Sequence, residues 1–459
     1  MIGLARLAGA SLRMLATDRA TWFAYGAVVL VTTVVAGLAL TGVDSAGGAP
    51  APLGGIVRSW TTPAAFMAVV AGTTCLAAVS RLTQSQFDPT RLAWVPLGVL
   101  PWQGRALIAL ETAVVTVAAA TGGVVIVIVT ATALNPLATP WGSLVLTTGP
   151  LVTVGTSVVV AFSLTPALVG ATSRFPPRPR RARLGRVLGC AIPVAAVVVL
   201  LALMPSTSMR DDDVAGLVPW SLLLVVLGSV AASTTGPAVC RLAAAGLGLV
   251  ARGTRWTIPR LAFQAVADGV RRDGAGISVP MVGVAVPGGL AAVFLAGDEA
   301  LRAFGSLVTS ETTINWAAVT GLATAPALLA AVTGALVFSL SAPIRRDTGR
   351  ALLAAGAAPA TLRAIASFEA VLLWALGALG AVAVVAVSAS PLLSAAQADL
   401  GTWAAVTVNP ITLCCSGLAL VALLMGSSIG RRSWPAADQP KASAAGAPSA
   451  QARTAGHSP

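Results

Sequence analysis

Long apolar runs separated by short polar segments set the pattern of the chain. A helix needs roughly 20 mostly apolar residues to cross the hydrocarbon core of a bilayer, and ten segments of the sequence qualify. They run from Ala20 to Val43, Thr62 to Ser80, Ala106 to Leu134, Leu144 to Ala171, Val187 to Met204, Leu217 to Cys240, Gly276 to Ala296, Ala317 to Ala342, Ala366 to Ser388 and Trp403 to Ser428. Two stretches between or before them have helical periodicity of another kind. Leu4, Ala8, Leu12 and Leu15 share one face with Arg6 and Arg13 opposite, which predicts an amphipathic helix in the membrane interface over 1–19. Ile258, Ala262, Ala265 and Val266 share a face in the same way, with Arg260, Gln264 and Arg271 opposite. Beyond Arg432 the sequence turns to Pro, Ala, Ser and Gly and lacks the large apolar residues a core needs, so 433–459 reads as a disordered tail.

Charge then orients the spans. The net charge of +13 is carried by arginines gathered in alternate loops. Short cytoplasmic loops hold the excess of Lys and Arg. Arg81, Arg91 and Arg105, the run from Arg174 to Arg186, the group from Arg252 to Arg272, and Arg345, Arg346, Arg350 and Arg363 therefore mark the cytoplasmic side. The opposite loops carry acids such as Asp44, Asp211, Asp212, Asp213, Asp298 and Glu299. Both termini fall on the cytoplasmic side. The arginines form no continuous basic surface, and no nucleic-acid partner is indicated.

Composition removes several chemistries. Hydrophobic residues make up 56% of the 459 positions and charged residues 10%, against about 25% charged in a soluble domain. The sole lysine, Lys441, follows Pro440 and not a glycine, so the chain has no phosphate-binding Walker loop. The sole histidine, His457, leaves no pair for a helical zinc site. The five cysteines lie singly or adjacent inside apolar runs, as packing residues and not as a metal or disulfide framework. Gly426-Ser-Ser428-Ile-Gly430 matches a nucleophile-elbow pattern but follows a membrane span and has no histidine base nearby.

An internal repeat organises the rest. Gly98, Pro101, Arg105 and Glu111 recur as Gly356, Pro359, Arg363 and Glu369 at one offset of 258 residues, and Gly122 recurs as Gly380. Arg6-Leu7-Ala8 likewise reappears as Arg260-Leu261-Ala262 ahead of the second half. The organisation is an interfacial helix (1–19), a four-span repeat (20–172), a basic linker with two extra spans (173–250), a second four-span repeat with its own amphipathic helix (251–432) and the tail (433–459). Both halves enter from the cytoplasm, so the two four-helix repeats are parallel. In each copy the glycine permits a positive φ that ends one helix. The proline suits the first position of the next, where its missing N–H costs nothing. The arginine falls at the membrane edge, and the glutamate lies further in and needs a partner.

The segment from Arg350 through Gly356, Pro359 and Arg363 to Glu369 resembles the signature of the FtsX-like permease family, the membrane subunits of ABC transporters of the macrolide-export and lipoprotein-release type. The resemblance implies that each repeated loop is a coupling segment docking one copy of a separate P-loop ATPase, two copies in all, with ATP and Mg bound there and no cofactor or catalytic residue in this chain. It implies the plasma membrane of a bacterium and export of a hydrophobic or amphipathic substrate such as a lipid, peptide or antibiotic. The loops 44–61 and 297–316 are short where macrolide-export relatives carry a large extracellular domain, so any extracytoplasmic partner is open. The alternatives are a subunit that transmits force or signal without moving substrate, and an ion-coupled carrier. Against the carrier, the spans lack ionisable residues at mid-depth.

Overall fold

The structure, a computed structural model, describes residues 9, 19–48, 68–80, 82–84, 87, 96, 99–138, 181–204, 211–250, 257–272, 275–303, 316–340, 349–350, 352–354 and 356–432. Regular structure among them is entirely helical. The helices are α1 (Arg19–Gly48), α2 (68–80), α3 (Pro101–Ala138), α4 (Arg181–Leu203), α5 (Asp211–Val250), α6 (Thr257–Arg272), α7 (Ala275–Ala303), α8 (Trp316–Leu340), α9 (Pro359–Ala395), α10 (Leu400–Thr407) and α11 (Pro410–Arg432). Six of them, α1, α3, α5, α7, α9 and α11, are long and apolar enough to cross a membrane, and α4 and α8 contain shorter apolar stretches. The chain is a multi-pass helical membrane protein. The fourth predicted span, the helix predicted over 1–19 and the tail lie outside the described residues, apart from single positions.

Two of the longest helices extend beyond their apolar runs at both ends. The sixth predicted span, 217–240, is the middle of a 40-residue helix, and the ninth, 366–388, the middle of a 37-residue one. Hydropathy marks the slab of hydrocarbon, whereas backbone hydrogen bonding carries a helix on until something stops it. The tenth predicted span departs differently. It is two helices, α10 and α11, broken at Val408–Asn409 ahead of Pro410.

α7 is the hub of the second half. It packs against α5, α8, α9 and α11, with further contacts to α6 and α10, and nearly all of its apolar length is buried. Small residues make this enclosure possible, since close helix approach in lipid depends on them. A Cβ on Gly289 would stand 3.0 Å from Val225 of α5, and one on Gly236 of α5 would stand 2.8 Å from Met281. Gly283 lies directly against Ala330 of α8, and Gly288 against Thr412 of α11. These contacts fix directions. Along α7 and α9 residue numbers rise together, Gly377 meeting Met281 and Ser388 approaching Gly289, so the two are parallel. Along α5 and α7 they run oppositely, Gly236 meeting Met281 while Val218 approaches Gly297.

Helices α1 and α3 are also parallel. Gly26 of α1 faces Val115 of α3, and Gly37 faces Val127. Tyr25 and Thr116 share a hydrogen bond of 3.0 Å between their hydroxyls, and Ser80 of α2 donates to the Tyr25 hydroxyl at 3.4 Å. Trp22 stacks on Phe87 with ring centroids 5.5 Å apart. This core continues into the second half, where Val279, Leu329 and Val337 join the cluster formed by α1 and α2.

α6 divides into two faces where its side chains are described. Ala262 and Val266 of α6 are fully buried, whereas Arg260 and Gln264 are exposed. Their buried face rests on α5 and α9.

Candidate functional site: the two Gly-Pro-Arg-Glu segments

The second copy is built by an α-helical end, a turn and a helical start. Residues 352–354 are helical. The Gly356 N–H then donates to the Leu353 carbonyl at 2.9 Å, and the Ala357 N–H to the Leu352 carbonyl at 3.0 Å. This pair of bonds is a Schellman closure, which needs a left-handed residue, and Gly356 has φ +88°. Ala358 is extended, with φ −69° and ψ 146°, and Pro359 takes the first helical position of α9. That position is the one where a proline forfeits no hydrogen bond.

Arg363 and Glu369 then separate onto different faces. Six residues of α-helix advance about 9 Å and turn by roughly 240°, so one side chain points out and the other in. Arg363 is exposed, and Glu369 is 9% exposed on the face that holds Leu362, Ile365, Ala370 and Leu373. A carboxylate at such a place demands compensation by hydrogen bonds or charge, and Glu369 does take part in a polar interaction. Next to it Phe368 meets Phe263 of α6 edge to face, centroids 6.0 Å apart. The start of α9 is thereby seated on α6, which in turn lies on the end of α5.

In the first copy the head of the helix is described, and it carries a different cap. Gly98 lies outside the described residues, but Pro101 opens α3 as Pro359 opens α9. Gln103, two residues on, sends its Oε1 back to accept the Leu100 N–H at 3.0 Å. This is the glutamine half of a capping box, whereas Ala358 has no side-chain cap. Arg105 is exposed, Glu111 is 3% exposed, and Glu111 also has a polar interaction. Trp102, about one turn before Arg105, stands half exposed. The two copies are held by different neighbours: α3 packs on α1, while α9 packs on α5, α6, α7, α10 and α11.

Sequence reasoning found the eight repeated residues and missed what supports them. Gln103 carried a signal, a Gln at the third helical position behind a proline. Phe263 and Phe368 carried none, since an aromatic beside an apolar run is unremarkable until the two helices are seen to cross.

The described residues bear on two of the chemistries considered from sequence. No group of three or more His, Cys, Asp or Glu side chains there could hold a metal. Ser428 lies within α11, its hydroxyl donating to the Met425 carbonyl at 2.7 Å, so the Gly-x-Ser-x-Gly pattern forms no strand-to-helix elbow. Arg105 and Arg363 are exposed near the heads of α3 and α9. The fold is that of a multi-pass helical membrane protein. Comparison with family models, with curated proteins and with solved structures gave no match.

Proposed function

We propose that the chain is the membrane subunit of an ATP-driven permease of the FtsX-like type, worked by two copies of a separate P-loop ATPase docked at the two repeated segments. The observation that carries this reading is the recurrence of Gly, Pro, Arg and Glu at a single offset, each copy opening a long membrane helix at its proline with arginine outward and glutamate inward. α9 suits the transmission this requires. Its 37 residues form one rod of about 55 Å, running from the Gly356 turn to the far side of the helix group. The chain has no Walker lysine, so hydrolysis belongs to another subunit. In this reading ten spans form two parallel four-helix repeats around a two-helix linker, in a bacterial plasma membrane with both termini cytoplasmic. The cargo is a hydrophobic or amphipathic molecule moved outward.

The test uses the full chain co-expressed with its cognate ATPase. The chain alone hydrolyses no ATP, the complex does, and Gly356→Val or Arg363→Glu weakens copurification and coupling. Intact coupling in both variants sinks the assignment of the loop. Uptake into inverted vesicles that requires ATP separates transport from force transmission, and uptake driven by an ion gradient alone identifies a carrier instead.

A further inference from the structure

We infer that the Val408–Asn409–Pro410 break is a hinge, latched by Asn409 against the middle of α7, about which α10 moves relative to α7 and α9. Proline alone does not explain the break. Pro391 sits inside α9 without interrupting it. A proline deprives the carbonyl four residues earlier of its donor, and there the preceding side chain replaces it, the Ser390 hydroxyl donating to the Val387 carbonyl at 2.7 Å. At Pro410 the deprived carbonyl is that of Val406, and again the preceding side chain serves it, Asn409 Nδ2 donating at 2.9 Å. But Asn409 does three other things. Nδ2 also donates to the Gly288 carbonyl of α7 at 3.2 Å. Oδ1 accepts the Thr412 N–H at 2.9 Å and the Thr412 hydroxyl at 3.1 Å, capping α11.

The result is a junction held by one side chain. Among the described residues no backbone hydrogen bond reaches from α11 back to α10; α10 closes with Val408 N–H on Ala404, and α11 opens with Leu413 N–H on Asn409. Asn409 is completely buried and Thr412 nearly so. Gly288 is shaped for the contact, because a Cβ there would run into the Thr412 hydroxyl and stand 3.4 Å from Val385.

α10 itself is lightly seated. It has 8 residues, with Val406 and Thr407 buried and Trp403 partly so, while Leu400 is 89% exposed and Ala404 and Ala405 also face outward. It lies on the half of α7 that ends in Asp298, Glu299 and Arg302, since α11 runs from the level of Gly288 toward Ile277 and Met281. A segment with one seated face and a side-chain latch opens at lower free energy than the helices around it. Its other end is joined to α9 through a tight turn at Gln397, so displacement of α9 is delivered to α10 directly. The inference stands whether or not an ATPase drives that displacement.

The experiment is pulsed dipolar spectroscopy and amide exchange on the full chain in lipid nanodiscs. Spin labels go on Leu400→Cys and Leu418→Cys, with the five native cysteines changed to alanine. The parent gives one narrow distance distribution. Asn409→Ala adds a second population, and amides of 400–408 exchange about tenfold faster, the loss of two donated hydrogen bonds, while those of 415–425 stay unchanged. Asn409→Asp, which keeps the cap and loses both donations, and Gly288→Ala, which displaces Thr412, give the same pattern and serve if Asn409→Ala does not fold. A single unchanged distribution in these variants, or faster exchange spread equally over α10 and α11, overturns the hinge.

Discussion

Replacing Gly283 by alanine tests whether α7 is as tightly enclosed as its neighbours imply. The new Cβ would lie inside contact distance of the Ala330 Cβ, with the Ala330 Cα 3.4 Å away. Helix axes would have to separate, yet α7 is packed against α5, α9 and α11 as well as α8 and has no side to retreat into. Overpacking of this kind costs about 1–3 kcal/mol. Removing the opposing methyl with Ala330→Gly relieves the clash and leaves the 3.4 Å approach, which is ordinary contact. By itself Ala330→Gly costs about 0.5–1 kcal/mol through helix propensity. The double variant is therefore more stable than the sum of the singles, with a coupling of about 1–3 kcal/mol. Unfolding of the purified chain in mixed micelles, followed by helical circular dichroism, reads all four corners of the cycle. Gly246→Ala, whose Cβ meets nothing within 4 Å, is the control and is neutral or stabilising. Additive single effects, or a Gly283→Ala as harmless as Gly246→Ala, would refute the packing at this crossing.

Three further outcomes follow from the turns. At Gly356 a Cβ meets nothing within 4 Å, so Gly356→Ala costs only backbone strain, about 1–2 kcal/mol, and Gly356→Asn costs less. Exchange of the Ala357 amide, which closes the turn, ranks the three forms in that order. Asp399 caps α10 by accepting the Thr402 hydroxyl and the Thr402 N–H, which holds its carboxyl below the ordinary 3.8. A lowered folded-state pKa means that the cap is fully present above the ordinary carboxylate range and is lost as pH falls through the lowered value. The Thr402 amide therefore exchanges faster than the usual acid trend on strong acidification, and in Asp399→Asn that dependence disappears. Gln397 holds φ 52° at the end of α9 in the role glycine takes at 356. Gln397→Gly accordingly stabilises the chain by up to about 1 kcal/mol in the same micelle titration, and a loss of stability would show that the glutamine side chain matters more than its backbone.

Some of this architecture was legible because it depends on single residues with one physical use. Pro101 and Pro359 start helices because proline lacks the N–H that a first turn leaves unbonded, and Gly356 ends one because only glycine takes φ +88° without strain. The spacing of arginine and glutamate gave their relative depth along each helix, and the faces they take, glutamate buried and arginine exposed, come from the packing. What could not be read depends on tertiary contacts. The break in the tenth predicted span is invisible to hydropathy, since Asn409 and Pro410 dilute an apolar run only slightly. Whether a proline is absorbed, as at 391, or breaks the helix, as at 410, turns on where the preceding side chain sends its hydrogen bonds. The role of the linker span was equally hidden. Nothing in the sequence of α5 says that it packs along both α7 and α9 and supports α6 beneath them.

The central claim is that a separate ATPase works this chain through its two repeated segments. Native mass spectrometry of the complex, released from membranes containing the full chain and its cognate P-loop ATPase, tests it most directly. The account predicts one chain bound to two ATPase copies, falling to one copy when Gly356 and Arg363 are changed to Val and Glu and to none when Arg105 is changed as well. A chain that carries no ATPase under conditions where it is folded, or one whose ATPase stays bound in full through those changes, would contradict it.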